Sequence, residues 1–176
     1  MPLKRRLDEQ HSVFINRFFP YSRCKPLEYR HRAVIGVGGN VGDMQRRLMH
    51  LWIYLRRITQ IYPIRNGVIV RNPPFGYTQQ ADFDNTVVEI ATSLNPRRLL
   101  RRLLKIEKHF GRKRSFANAP RTLDLDMIFF DNRTMKTTQL TLPHPGYQER
   151  LSVLIPLRSL GPNAQKRRRR YENLNL

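Results

Sequence analysis

A single cysteine, Cys24, is all the thiol chemistry the chain carries. That excludes an intramolecular disulfide and a cysteine-based zinc site, and a reducing cytoplasm is the expected setting. No segment approaches the roughly 18–20 uninterrupted apolar residues of a membrane span, so no membrane partner is expected. The basic start, Lys4-Arg5-Arg6, leads into no continuous apolar core and makes a poor secretory signal. Acid is scarce. Thirteen Asp+Glu against 33 Lys+Arg leave a formal net charge of +20, so the partner is expected to be anionic: nucleic acid, nucleotide or phosphate ester. The glycine stretch Gly36-Val37-Gly38-Gly39-Asn40-Val41-Gly42 lacks both the Walker lysine–hydroxyl pair and Rossmann spacing. Its plain reading is a tight strand-to-helix turn.

What the chain does have is enough apolar residue, 40% of 176, for one domain with tails. Residues 1–31 show no clear period and form an extension with no element assigned. The domain covers 32–160, and 161–176 is a basic tail holding Lys166 to Arg170. Ala33 to Val37 reads as a strand. Asp43 caps a helix carrying Leu48, Leu51, Trp52 and Leu55 at helical spacing. Val68-Ile69-Val70 is a second strand, stopped by Pro73-Pro74, and Asp84 to Ser93 a third. Asn95-Pro96 opens a helix with the stripe Leu99, Leu100, Leu103, Ile106, Phe110, closed by Gly111. Thr122 to Phe130 is a fourth strand, and a last helix covers Gln148 to Leu157. The order β-α-β-β-α-β predicts an α+β fold of ferredoxin-like, split βαβ type.

Asp124 and Asp126 are the sharpest chemical signal. Two apart on a strand, they share one face, with Leu123, Leu125 and Met127 on the other. Two like charges so placed repel unless a cation lies between them. Hard oxygen ligands suit Mg²⁺, whose shell is completed by water and substrate phosphates. Arg121 precedes the pair, and Arg112 and Arg114 stand further upstream; their planar forks can neutralise phosphate oxygens the metal does not reach. Metal plus arginines is a coherent kit for phosphoryl transfer, which runs mainly on positioning and charge stabilisation.

The segment Ala119-Pro120-Arg121-Thr122-Leu123-Asp124-Leu125-Asp126 resembles the signature of the hydroxymethyldihydropterin pyrophosphokinase family of folate biosynthesis. Other family segments occur in the family's order: Gly38-Gly39-Asn40, Asn72-Pro73-Pro74-Phe75-Gly76, Phe83-Asp84-Asn85, Ile106-Glu107 with Gly111-Arg112, and Leu142-Pro143-His144-Pro145 with Arg150 beyond. The resemblance covers about residues 32 to 158 and implies an antiparallel sheet with helices on both faces. The implied reaction moves pyrophosphate from ATP to the hydroxymethyl group of the reduced pterin, releasing AMP. On matching positions, Asp124 and Asp126 would hold two Mg²⁺ ions, and Arg112 and Arg121 would be catalytic. Glu107, Arg114, Thr141, His144 and Arg150 would bind ATP, and Asn72, Pro73, Phe75, Phe83 and Asn85 the pterin. One departure stands out: Ser152 occupies the position of a second pterin-stacking aromatic, for which Tyr147 is the possible substitute.

Two other readings remain at this point. A basic nucleic-acid-binding protein would account for the charge, but aromatic and basic positions do not interleave on any strand, which argues against a stacking platform. A catalytically reduced relative is suggested by Ser152 and the short C-terminal part. With ATP and pterin as small-molecule substrates, a monomer is the expectation.

Overall fold

A strand from Phe83 to Thr92 is the spine of the molecule, because neighbours pair along both its edges. The computed structural model describes residues 3–23, 28–74, 76, 78–113 and 119–161. In chain order the strands are β1 (Leu3–Arg6), β2 (Ser12–Ile15), β3 (Tyr21–Ser22), β4 (His31–Gly39), β5 (Ile61–Asn66), β6 (Ile69–Asn72), β7 (Phe83–Thr92), β8 (Asp124–Phe130), β9 (Met135–Lys136) and β10 (Thr141–Leu142). The helices are α1 (Met44–Leu55), α2 (Pro96–His109) and α3 (Leu151–Ser159), the last preceded by a 3₁₀ turn, Tyr147–Glu149.

One edge of β7 pairs with β4, which pairs in turn with β8; the other edge carries β6 and β5 in succession. All these pairings are antiparallel. β5 and β6 act as two halves of one strand interrupted at Gly67. Its N–H donates to Val87 O at 2.9 Å, and a Cβ there would collide with the Pro156 carbonyl of α3. The split βαβ order therefore holds as β4-α1-(β5, β6)-β7-α2-β8.

The two-residue alternation of the strands builds two apolar layers. Ala33, Ile35 and Val37 of β4, Val88 and Ile90 of β7, and Leu125 and Met127 of β8 face α1 and α2. Val34, Val87 and Phe129 face the other way, under Val153, Leu157 and Leu160. Helices thus cover both faces, as expected. The caps also follow the sequence: Asp43 accepts from Arg46 N–H and Asn95 from Arg98 N–H, each at 3.0 Å.

Three regions differ from the sequence reading. Residues 3–22 contain three short strands, with β1–β2 a hairpin added to the edge of β6. β1 is exposed along its whole length, so no alternation marks it, while Phe14 and Phe19 anchor the segment in the core. β5 was hidden by Pro63, which the sheet accepts at a register shift between Pro63 and Arg65. The last helix begins at Leu151, three residues later than read, because the chain first turns through the 3₁₀ segment.

Candidate active site

Strand register sets out the site. On the face away from α1 and α2, Asn85 of β7 lies opposite Gly38 of β4, which lies opposite Asp124 of β8; Gly36 lies opposite Asp126. Both aspartates share that face, as their spacing requires, and Leu125 and Met127 are buried on the other. The two glycines of β4 put no side chain between β7 and β8. Here the bare strip lies beside paired carboxylates.

Three elements deliver charge to the strip's edge. Glu107, buried on the last turn of α2, accepts the Leu125 N–H at 2.8 Å and pairs with Arg112. Arg112 Nη1 also donates to Asp124 Oδ1 at 2.5 Å, and Arg121 Nη1 donates to Asp124 Oδ2. Two guanidiniums therefore converge on one carboxylate. Burial pushes the Glu107 carboxyl above its ordinary range, against the opposing pull of the Leu125 amide and Arg112.

Asp126 stands differently. Among the described residues its carboxylate makes no side-chain hydrogen bond or ion pair, while its main chain pairs with Gly36. Burial raises its carboxyl above the usual range, and the neighbouring Asp124 charge raises it further; His144, Arg150 and Arg112 pull the other way. His144 and Arg150 are thus brought to Asp126 by the segment after β10. The His144 N–H is tied to Ile128 O at 3.0 Å, and its ring Nδ1 is buried with no hydrogen-bond partner among the described residues. Thr141 sits on β10 opposite Lys136.

At the other end of the strip, Asn85 Nδ2 donates to Asn72 Oδ1 at 2.8 Å, and Asn72 Nδ2 donates to Pro73 O at 2.8 Å. Phe83 is half-buried, with the Arg121 guanidinium 5.4 Å from its ring centroid. One arginine thus touches both groups of expected site residues. Phe75 and Arg114 lie outside the described residues. Tyr147 packs edge-on against Phe129, ring centroids 4.9 Å apart, and makes no ring contact with Phe83.

Sequence reasoning passed over Asn40 as a site residue. Its Oδ1 accepts the Arg121 N–H at 2.9 Å, and its Nδ2 donates to Gln80 Oε1 at 2.8 Å and Ala81 O at 2.9 Å. It also donates its backbone N–H to Arg121 O at 3.0 Å. One buried amide thus ties the loop that carries Arg121 to the loop that leads into Phe83. Its place in Gly38-Gly39-Asn40 was the only available signal.

An antiparallel α+β sheet offering an acid pair faced by arginines is the chemistry of a site for metal and phosphate. The sequence pattern of the 7,8-dihydro-6-hydroxymethylpterin-pyrophosphokinase family matches residues 34–162, and the chain belongs to that family. It is 40% identical over 147 residues to the 2-amino-4-hydroxy-6-hydroxymethyldihydropteridine pyrophosphokinase of Helicobacter pylori, covering 82% of this chain and 90% of that one. The protein of the same name from Campylobacter jejuni is 37% identical over 142 residues, 81% of this chain and 90% of that one. The Bacillus subtilis counterpart is 39% identical over 134 residues, 76% and 80% of the two chains.

Proposed function

We infer that the protein transfers pyrophosphate from ATP to the hydroxymethyl group of hydroxymethyldihydropterin in folate biosynthesis. The pterin hydroxyl oxygen attacks the β-phosphorus and gives up its proton to solvent, the bond from the β-phosphorus to the α,β-bridging oxygen breaks, and AMP leaves with that oxygen and its electron pair. The observation that carries this reading is the convergence of Arg112 and Arg121 on Asp124, across a side-chain-free strip from Asn85.

Asp124 and Asp126 fit Mg²⁺. They are hard oxygen donors on one face, and the Asp126 carboxyl is half-buried beside a like charge, with no proton donor bonded to it among the described residues. The pair would hold two ions, each supplying Lewis-acid neutralisation of phosphate oxygens when bound. The chain's own residues do the rest. Arg112 and Arg121 turn from Asp124 to the transferring phosphates, where charge develops in the transition state. Glu107 holds Arg112 in place and fixes the start of β8 through the Leu125 amide. His144 and Arg150, with Arg114 and Thr141, grip the nucleotide. Asn85 and Asn72 read the polar edge of the pterin, and Phe83, with Pro73 and Phe75 beside it, provides the flat apolar contact.

Residues 32–160 form the catalytic domain, acting as a monomer in the cytoplasm. Among the described residues no helix is long and apolar enough to cross a membrane. The test is AMP formation by purified protein from ATP, Mg²⁺ and the reduced pterin. Turnover that requires all three supports the reading; AMP release without the pterin, or none at all, overturns it.

A further inference from the structure

The β1–β2 hairpin lies outside the family match, which begins at residue 34, yet it is built into the wall of the site. β2 pairs with β6 in the register Ser12↔Arg71, Val13↔Val70, Phe14↔Ile69, and β6 pairs with β7 as Val70↔Asn85, Arg71↔Asp84, Asn72↔Phe83. On one face of this three-strand unit Val13 packs with Val68, Val70 and Ile155 of α3. On the other, the Phe14 ring is buried with the Arg71 guanidinium 4.7 Å from its centroid. The same guanidinium grips Asp84 with both arms, Nε to Oδ1 at 2.7 Å and Nη2 to Oδ2 at 2.8 Å.

The ring matters because the two ion-pair partners differ in burial. Asp84 is 2% exposed and sits between Phe83 and Asn85, whereas the Arg71 side chain is 39% exposed. A buried carboxylate depends on its partner, since an unpaired charge there is costly. A half-exposed arginine can swing into water unless something holds it. Phe14 does so, presenting its ring face to the guanidinium.

We propose that Phe14 is a positioning residue for the pterin side of the site: its ring keeps Arg71 on Asp84, and Asp84 fixes the backbone that aims Phe83 and Asn85. The proposal rests on the reading of those two as pterin-binding. The N-terminal hairpin is then a working part of the enzyme.

The test compares Phe14→Leu, which keeps apolar bulk but removes the ring, Arg71→Lys, which keeps charge but removes the fork, and Phe14→Tyr, which keeps the ring. Two readouts are taken on the full chain: KM for pterin and for ATP, and amide hydrogen exchange at residues 82–85 with 124–127 as internal control. Phe14→Leu and Arg71→Lys are expected to raise KM for pterin about three- to tenfold, the scale of one cation–π contact, with KM for ATP within twofold. Exchange should quicken at 82–85 and not at 124–127, and Phe14→Tyr should restore both readouts. An equal rise in both KM values, or unchanged exchange at 82–85 in Phe14→Leu and Arg71→Lys, overturns the proposal. If Phe14→Leu does not fold, Arg71→Lys, at a half-exposed position, decides alone. Should the parent form no AMP, the functional reading fails, and the exchange data still judge the role of Phe14.

Discussion

Gly38 has no side chain because Asn85 occupies the space: a Cβ at position 38 would collide with Asn85 Oδ1. The obstacle is the end of a side chain that can turn away, so Gly38→Ala is expected to fold, with Tm within a few degrees of the parent. Turning Asn85 breaks its 2.8 Å bond to Asn72. KM for pterin should therefore rise about tenfold while KM for ATP stays put, the loss of roughly one well-placed hydrogen bond. Steady-state kinetics against both substrates checks this, and an unchanged pterin KM would falsify it.

Asp126 gives a pH dependence. A carboxyl raised in the folded state binds its proton more tightly there than in the unfolded chain. Its contribution to stability is therefore full at acid pH and declines as pH climbs through the unfolded and then the folded value. Asp126→Asn removes the decline. Without metal, the variant should melt above the parent at neutral pH, the gap closing on the acid side. It should also lose Mg²⁺-dependent AMP formation. Calorimetry across a pH series, with no metal added, is the measurement; a variant that melts lower at neutral pH contradicts the assignment.

Asn40→Ala removes three side-chain hydrogen bonds from a buried position. At about 1 kcal/mol each, the expected loss of stability is about 2–4 kcal/mol, read from denaturant midpoints. Because the same amide links the Arg121 loop to the Phe83 loop, kcat should fall as well. Stability loss with full turnover would make Asn40 a structural residue only.

Arg112→Lys keeps the charge but cannot bridge Glu107 and Asp124 as the guanidinium does. A fall in kcat of about a hundredfold, with KM for pterin unchanged, is expected if the group stabilises charge in the transition state. Single-turnover measurement separates this from slowed product release. A drop confined to KM for ATP would instead assign Arg112 to ground-state binding.

How far the sequence reached depends on how local each cause is. The shared face of Asp124 and Asp126 was legible because Leu123, Leu125 and Met127 alternate with them and are buried in the layer below. The caps Asp43 and Asn95 were legible because each bonds an amide three residues on. Asn40 was not, since the partner that defines it, Arg121, lies 81 residues away. The hairpin strand β1 was not, since an edge strand with both faces in water shows no period. The resemblance to the family puts Ser152 where a second stacking aromatic is expected, with Tyr147 as the possible substitute. That Tyr147 turns instead to Phe129 depends on the path of the 3₁₀ turn.

Asn85 and Asp124 are separated by one strand only, so their backbones stand two inter-strand spacings apart, about 9.5 Å. That interval is fixed by main-chain hydrogen bonding and not by any side chain's length. A sheet used in this way is a ruler. Substitutions at either end can change how firmly a ligand is gripped, but the gap an acceptor and a donor must bridge stays the same unless the strands themselves slip.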